Sequence, residues 1–172
     1  MPRNVEIKAR IDDIKTLTAK VAGIADKGPI EIFQDDTFFA CPKGRMKLRT
    51  FSDTKAELIF YKRPNQAGPK TSEYYRAPVT TPDLMREVLS QGYGQAGRVC
   101  KHRTLYLIGK TRVHLDRVEG LGDFMELEVV LADNESTESG VKVANELLRK
   151  LGIPPDHLIE GAYVDLLDKG VD

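Results

Sequence analysis

Six short stretches of the chain set charged side chains at two-residue spacing, and the sign of the charge is sorted from one stretch to the next. They are Glu6-Ile7-Lys8-Ala9-Arg10, Lys47-Leu48-Arg49, Tyr61-Lys62, Lys101-His102-Arg103, His114-Leu115-Asp116 and Glu126-Leu127-Glu128. Successive side chains of a β-strand point to opposite faces, so charges at i and i+2 share one face while Ile7, Leu48, Leu115 and Leu127 share the other. The pattern predicts a sheet with one strongly charged face. Several strands offer only cations and one offers a pair of carboxylates, the groups needed to hold a polyanion together with a divalent metal ion.

At 172 residues the chain suits one domain, with 137–172 as a C-terminal helical part, and it is long enough to bury a core without staples. Its 26 basic and 26 acidic residues cancel, which argues against a general nucleic-acid binder. Cys41 and Cys100 are too few for a disulfide framework and lack metal-ligand spacing, as expected in a reducing compartment. The opening Met1-Pro2-Arg3-Asn4-Val5-Glu6 has no apolar leader, and no later stretch is long enough for a membrane span, so a cytoplasmic location is the expectation.

Eight strands alternate with turn signals: one through Glu6–Arg10, then 30–40, 45–51, 57–63, 72–79, 98–108, 112–118 and 124–131. Asp12-Asp13 begin a helix carrying Ile14, Leu17, Val21 and Ile24 on one stripe and closing near Gly28-Pro29. Thr81-Pro82-Asp83 begin a second, and residues 137–151 form a third that stops at Gly152. Pro155-Asp156 start a final helix running through Leu167. An antiparallel meander of eight strands can close into a barrel whose interior holds one small ligand. With the charged faces inward, the apolar faces would be covered from outside by the amphipathic helices. A charged lumen is costly unless metal, water and ligand satisfy it, and such a cost is tolerated for function.

The alternative is a half-buried sheet with its polar face in water. Three details weigh against it: the basic pairs recur on separate strands, Glu126 and Glu128 sit as like charges on one face, and no acid shares the Lys47/Arg49 or Lys101/Arg103 pairs. A solvent face mixes signs to avoid like-charge repulsion.

Over nearly its whole length the chain resembles the CYTH superfamily, the triphosphate tunnel metalloenzymes, and within it the class IV, CyaB-like adenylyl cyclase branch. The Glu-x-Glu-x-Lys signature falls on Asn4-Val5-Glu6-Ile7-Lys8, with Asn4 in place of the first glutamate. Further matches are Lys47-Leu48-Arg49, Lys62 in Phe60-Tyr61-Lys62-Arg63-Pro64, Ser72-Glu73-Tyr74 with Arg76, and Lys101-His102-Arg103. The run from His114 to Glu128 and the C-terminal Ala162-Tyr163-Val164-Asp165-Leu166-Leu167 are similar to the CyaB branch in particular.

The resemblance implies an α+β fold: an eight-stranded antiparallel β-barrel, the triphosphate tunnel, with flanking helices. It implies that Glu6, Glu126 and Glu128 bind Mg²⁺ or Mn²⁺, with Asp116 as a further metal-side carboxylate. Lys8, Lys47, Arg49, Lys62, Lys101 and Arg103 would grip the triphosphate, and Arg10, Arg63, Arg76 and Arg112 are weaker candidates. Carboxylate oxygens suit a hard cation and guanidinium forks suit phosphate oxygens. The implied activity is adenylyl cyclase, with hydrolysis of thiamine triphosphate or inorganic triphosphate as the alternative. Asn4 keeps a third reading open, a module that binds polyphosphate or nucleotide without turnover. The implied partner is a small-molecule triphosphate, with neither nucleic acid nor membrane; a homodimer stays open.

Other features carry less. Gly92-Tyr93-Gly94-Gln95-Ala96-Gly97 fits a dinucleotide-binding pattern, yet it follows a helix and precedes a strand, the reverse of the required context, and reads as a turn. His102 faces away from Lys101 and Arg103, His114 shares a face with Asp116, and His157 reads as a helix-surface residue. Tyr74, Tyr75, Tyr106 and Tyr163 read as wall or core packing.

Overall fold

The computed structural model of the chain describes residues 2–62, 64 and 66–169. In chain order the elements are β1 (Arg3–Arg10), α1 (Ile14–Ile24), β2 (Lys27–Phe39), β3 (Arg45–Ser52), β4 (Lys55–Lys62), β5 (Lys70–Val79), α2 (Pro82–Tyr93), β6 (Gln95–Ile108), β7 (Thr111–Val118), β8 (Gly122–Leu131), α3 (Thr137–Leu151), β9 (Leu158–Ile159) and α4 (Tyr163–Lys169). The strands lie in the order β5-β4-β3-β2-β6-β7-β8-β1-β9, all antiparallel, and β1 also pairs with β5. Strands β1 to β8 therefore close into a ring, which removes the exposed edges an open sheet would present.

The eight expected strands are present, but they do not run as one meander. β2 to β5 form one meander and β6 to β8 another; a long β2–β6 pairing, from Ile30 opposite Leu105 to Phe38 opposite Gly97, joins them on one side. β1 closes the other side between β5 and β8.

The apolar faces point outward, beneath the helices. Ile7 and Ala9 of β1, Val113 and Leu115 of β7, and Met125 and Leu127 of β8 pack with Leu17 and Val21 of α1 and Leu147, Leu148 and Leu151 of α3. A fully buried Leu or Ile contributes about 1.5–3 kcal/mol, so this outer core offsets a charged interior. Local signals set the helices. Asp13 caps α1 by accepting the Thr16 N–H, Ser136 caps α3 by accepting the Ser139 N–H, and Gly152, with φ of 70°, ends α3. Gly140 lets α3 approach the sheet: a Cβ there would lie 2.7 Å from Val5 Cγ2 and 2.8 Å from Leu131 Cδ2.

Two boundaries differ most from expectation; the strand ends shift by three residues or fewer. α1 ends at Ile24 and the chain is already in β2 at Lys27, so Gly28-Pro29 lies inside a strand rather than closing a helix. The expected final helix is broken: Pro155–His157 make one 3₁₀ turn, Leu158 and Ile159 add β9 to the edge of β1, and α4 starts only at Tyr163. Pairing with β1 outweighs local helical periodicity here, and Gly161, with φ of 88°, turns the chain back across the ring. Cys41 and Cys100 are free thiols, and among the described residues no helix is long and apolar enough to cross a membrane.

Candidate functional site

The inward faces enclose a cavity of about 300 Å³, at the small end of the range for ligand pockets. One of its walls is organised around Asp36. The register of β2 against β3 sets Asp36 opposite Arg49, and the guanidinium donates to both carboxylate oxygens, Nε to Oδ1 and Nη2 to Oδ2, each at 2.8 Å. Lys47 Nζ and Lys101 Nζ each lie 3.4 Å from Oδ2. Burial alone would raise the Asp36 pKa, but the charges of Arg49, Lys101 and Lys47 hold it well below the usual carboxylate range. Three cations around one carboxylate leave a surplus of positive charge. Burial, with repulsion from Arg49, pushes Lys47 down to about 7. Burial and the charges of Arg103 and Arg49 push Lys101 down to about 8.

Arg103 is held in the same way by Asp116. Its Nε and Nη2 donate to the two Asp116 oxygens at 2.7 and 2.8 Å, and the Tyr163 hydroxyl donates to Oδ2 at 2.8 Å. The tyrosine stays protonated, because burial and then the charges of Glu126 and Asp116 raise its pKa well above the ordinary value. Lys8 completes this corner. Its Nζ donates to the Gly161 carbonyl at 3.1 Å, sits 4.0 Å from the Tyr163 ring centroid and lies 3.5 Å from Glu126 Oε1. The segment from Gly161 onward thus covers one end of the ring, where Ala162, Tyr163 and Val164 pack with Phe38, Val99 and Phe124.

The opposite wall carries carboxylates. Glu126 meets Lys8 and Arg103, each at 3.5 Å. Glu128 contacts His114 Nε2 through Oε1, accepts the Asn4 Nδ2–H at 2.9 Å through Oε2, and has Arg112 at 3.6 Å. Both carboxylates stay ionised. Burial opposes this, but Lys8 and Arg103 around Glu126, and His114 and Arg112 around Glu128, hold each pKa well below the usual range. The like-charge repulsion expected of this pair is therefore compensated by surrounding cations. Burial and the Arg103 charge lower the His114 pKa while Glu128 opposes that shift, and its Nδ1 has no hydrogen-bond partner among the described residues.

Glu6, Glu126, Glu128, Lys8, Lys47, Arg49, Lys101 and Arg103 all line the cavity, together with Arg76 and Arg112. Two expected ligands do not. Lys62 is exposed and belongs to the outward parity of β4, whose cavity row is Glu57, Ile59 and Tyr61. Asp116 has the inward parity but is fully buried, with its oxygens engaged by Arg103 and Tyr163; it supports an arginine rather than facing a metal. Arg10 is exposed, and Arg63 lies outside the described residues. His102 meets Glu31 outside the ring at 3.1 Å, and His157 lies 3.4 Å from Asp12.

Sequence reasoning missed Asp36 and Tyr163. It also held that no acid shares the basic pairs, whereas Asp36 joins Lys47, Arg49 and Lys101 from the neighbouring strand. The two-residue spacing of Gln34 and Asp36 was the available signal.

The divalent metal that the resemblance implies has matching donor chemistry here. Glu6, Glu126 and Glu128 supply carboxylate oxygens, and Asn4 Oδ1, a carbonyl oxygen, is buried without a hydrogen-bond partner among the described residues. The side chains do not converge further: among the described residues no three His, Cys, Asp or Glu groups meet closely enough to hold an ion.

The CYTH domain model matches residues 2–163. "Putative adenylate cyclase MJ0240" of Methanocaldococcus jannaschii is 27% identical over 169 residues, covering 94% of this chain and 97% of that protein. "Adenylate cyclase CyaB" of Aeromonas hydrophila is 25% identical over 176 residues, covering 97% and 90%. Among solved structures, the PH1012 protein of Pyrococcus horikoshii superposes with a TM-score of 0.81 at 23% identity, covering 95% of this chain and 99% of that one. A Hippeastrum protein described as "Putative adenylyl cyclase HpAC1", with a dominant triphosphatase activity, superposes with a TM-score of 0.67 at 16% identity, covering 97% and 96%.

Proposed function

The chain belongs to the CYTH domain family, and on that footing we propose that it is a divalent-metal-dependent enzyme acting on a triphosphate inside the ring, with cyclisation of ATP as its leading reaction. One observation carries this reading: a cation-surplus wall and a carboxylate wall face each other across a single cavity. Lys8, Lys101 and Arg103 are 4–5% exposed, which excludes a solvated polar face.

In the cyclase reaction the ribose 3′-oxygen forms a bond to the α-phosphorus as its proton passes to solvent water. The bond from that phosphorus to the α–β bridging oxygen breaks, and pyrophosphate leaves with the electron pair. Arg49 and Arg103 donate to non-bridging phosphate oxygens, pre-aimed by Asp36 and Asp116, while Lys47 and Lys101 add charge that follows the substrate. Glu6, Glu126 and Glu128, with Asn4 Oδ1, would hold Mg²⁺ or Mn²⁺. The bound ion would neutralise phosphate charge and polarise the reacting phosphoryl group.

Hydrolysis of the terminal phosphate is the second reading. The same walls serve it, and the triphosphatase activity described for the Hippeastrum protein, which shares the fold, favours keeping it. The test is a product assay with ATP, thiamine triphosphate and inorganic triphosphate, each with Mg²⁺ and with Mn²⁺. Cyclic AMP with pyrophosphate is the expected outcome; orthophosphate release would establish hydrolysis instead. Tight binding with no turnover of any substrate would leave the non-catalytic module.

A further inference from the structure

Gln34 stands among the cations of the β2–β6 wall. Its register partner on β6 is Lys101; Ile32, two residues before it, faces Arg103, and Asp36, two residues after it, faces Arg49 of β3. Opposite side chains of an antiparallel pair have Cβ atoms about 5 Å apart and diagonal ones about 7–8 Å, so all three cations lie within reach of the carboxamide. The glutamine is 4% exposed and lines the cavity, yet its Oε1 has no hydrogen-bond partner among the described residues. The other buried side-chain atoms without a partner among those residues, Asn4 Oδ1, His114 Nδ1 and Arg112 Nε, belong to side chains gathered around Glu128 on the opposite wall. Gln34 is the exception on the cationic wall.

A buried amide oxygen without a partner is a cost to the empty protein that a donor would remove. An ionised phosphate chain offers acceptors only, and whichever way a carboxamide is turned its oxygen stays an acceptor. The anion that this wall is built for cannot satisfy it. The neighbouring cations are engaged elsewhere, Arg49 and Lys101 by Asp36 and Arg103 by Asp116. A neutral O–H group close to phosphorus fits both requirements, and phosphoryl chemistry brings one there: the hydroxyl that attacks. A carboxylate would accept from that hydroxyl equally well but would repel the phosphates beside it, whereas an uncharged amide does not.

We infer that Gln34 is a catalytic residue that orients the attacking hydroxyl toward phosphorus, a water molecule in hydrolysis or the ribose 3′-hydroxyl in cyclisation. This rests on the triphosphate reading above. In the step, the hydroxyl oxygen forms a bond to phosphorus, the bond from that phosphorus to the bridging oxygen breaks, and the departing phosphate chain keeps the electron pair. The proton passes to solvent water. Gln34 Oε1 holds the O–H in line by accepting its hydrogen bond and takes up no proton.

The experiment separates turnover from binding. Gln34→Met keeps the shape of the side chain and removes the unpartnered oxygen, so its kcat should fall about a hundredfold, as when a reactant loses its orientation. Calorimetric titration of the chelator-treated, metal-free variant with inorganic triphosphate should give a Kd within about threefold of the wild type. Gln34→Asn, which withdraws the acceptor by one methylene, should show the same split and covers the case in which Gln34→Met folds poorly. Only water can attack inorganic triphosphate, so a loss of kcat with that substrate assigns the water, and a loss of cyclic AMP formation from ATP assigns the ribose hydroxyl. A raised Kd with kcat unchanged would make Gln34 a support for Lys101 and overturn the inference, as would no change in either constant; both results leave the triphosphate reading standing. A wild-type protein that binds triphosphate without turning it over would overturn the inference together with the enzymatic reading, and one that binds none would overturn the triphosphate reading as well.

Discussion

Asp36 and Asp116 each engage a guanidinium through two bonds of 2.7–2.8 Å, whereas Glu126 meets its two cations only at 3.5 Å. All three carboxylates are enclosed by the same ring, and cations hold each below the ordinary pKa range. They differ in how completely their oxygens are committed. The aspartates are finished structural pairs that aim Arg49 and Arg103 before any ligand arrives. Glu126 is balanced at a distance and can exchange its partners for a metal ion. One cavity thus holds a preformed grip for anions beside a carboxylate, Glu126, that stays available, two uses of buried charge that follow from bond geometry alone.

Breaking a committed pair should have the largest effect. Arg103→Ala leaves Asp116 buried with only the Tyr163 hydroxyl, and stranding a buried charge costs about 3–5 kcal/mol. Urea denaturation should show that loss, while Glu126→Gln should show less than half of it. Glu126→Gln should instead remove most of the rise in Tm that Mg²⁺ or Mn²⁺ gives the wild type. Equal stability losses for the two variants would erase the distinction between committed and available acids.

Next in size is the grip itself. Arg49→Ala should weaken triphosphate binding by the value of a charge-assisted contact, on the order of 1.5–3 kcal/mol, or roughly tenfold to a hundredfold. Arg117→Ala is the control: that side chain is 65% exposed on the outer face, so its removal should leave affinity unchanged. Comparable losses in the two variants would return the basic strands to an ordinary solvated surface.

The parts of this site that were legible in the sequence are those fixed by strand parity. Two-residue spacing put Glu6 with Lys8, Lys47 with Arg49, Lys101 with Arg103 and Glu126 with Glu128 on inward faces, and all eight line the cavity. Parity fails where its phase is ambiguous. In Phe60-Tyr61-Lys62 every residue suits either face, and the strand turns Tyr61 inward and Lys62 out. Asp35-Asp36 offers an acid to both faces, so the hub could not be chosen without the register that sets Asp36 opposite Arg49. Depth is a separate quantity: Asp116 has the right parity, yet Arg103 and Tyr163 cover it. The break in the C-terminal helix depends on β9 pairing with β1, about 150 residues away in the chain, which no local pattern records.

The lysines give a smaller, pH-dependent test of the preformed wall. In the ligand-free protein Lys47 and Lys101 titrate near 7 and 8, and a bound polyanion favours their charged forms. Binding therefore takes up protons, and affinity should fall as pH rises through that range, by about tenfold between pH 6.5 and 9. For folding, the lowered values mean that the unfolded chain holds more protons between about pH 7 and 10, so these lysines make stability of the empty protein rise with pH over that window. Titration calorimetry in two buffers of different ionisation enthalpy would measure the uptake. An affinity independent of pH would mean that Asp36 already keeps both lysines charged.

The smallest expected effect tests how far the Asp116 pair depends on its third member. Tyr163→Phe removes the hydroxyl that donates to Asp116 Oδ2 at 2.8 Å but keeps the ring against Phe124, 5.2 Å between centroids, and beneath Lys8. Asp116 Oδ2 still accepts from Arg103 Nη2, so no charge is stranded and the cost should be that of one hydrogen bond to a charged group, about 1.5 kcal/mol, seen as a fall of roughly 3–6 °C in Tm. Triphosphate affinity should change less than threefold, because two bonds to Asp116 already orient the guanidinium. A loss of affinity as large as that of Arg49→Ala, with the fold intact, would show that Arg103 is aimed from the C-terminal segment. The arginine would then belong with the adjustable half of the cavity rather than the preformed one.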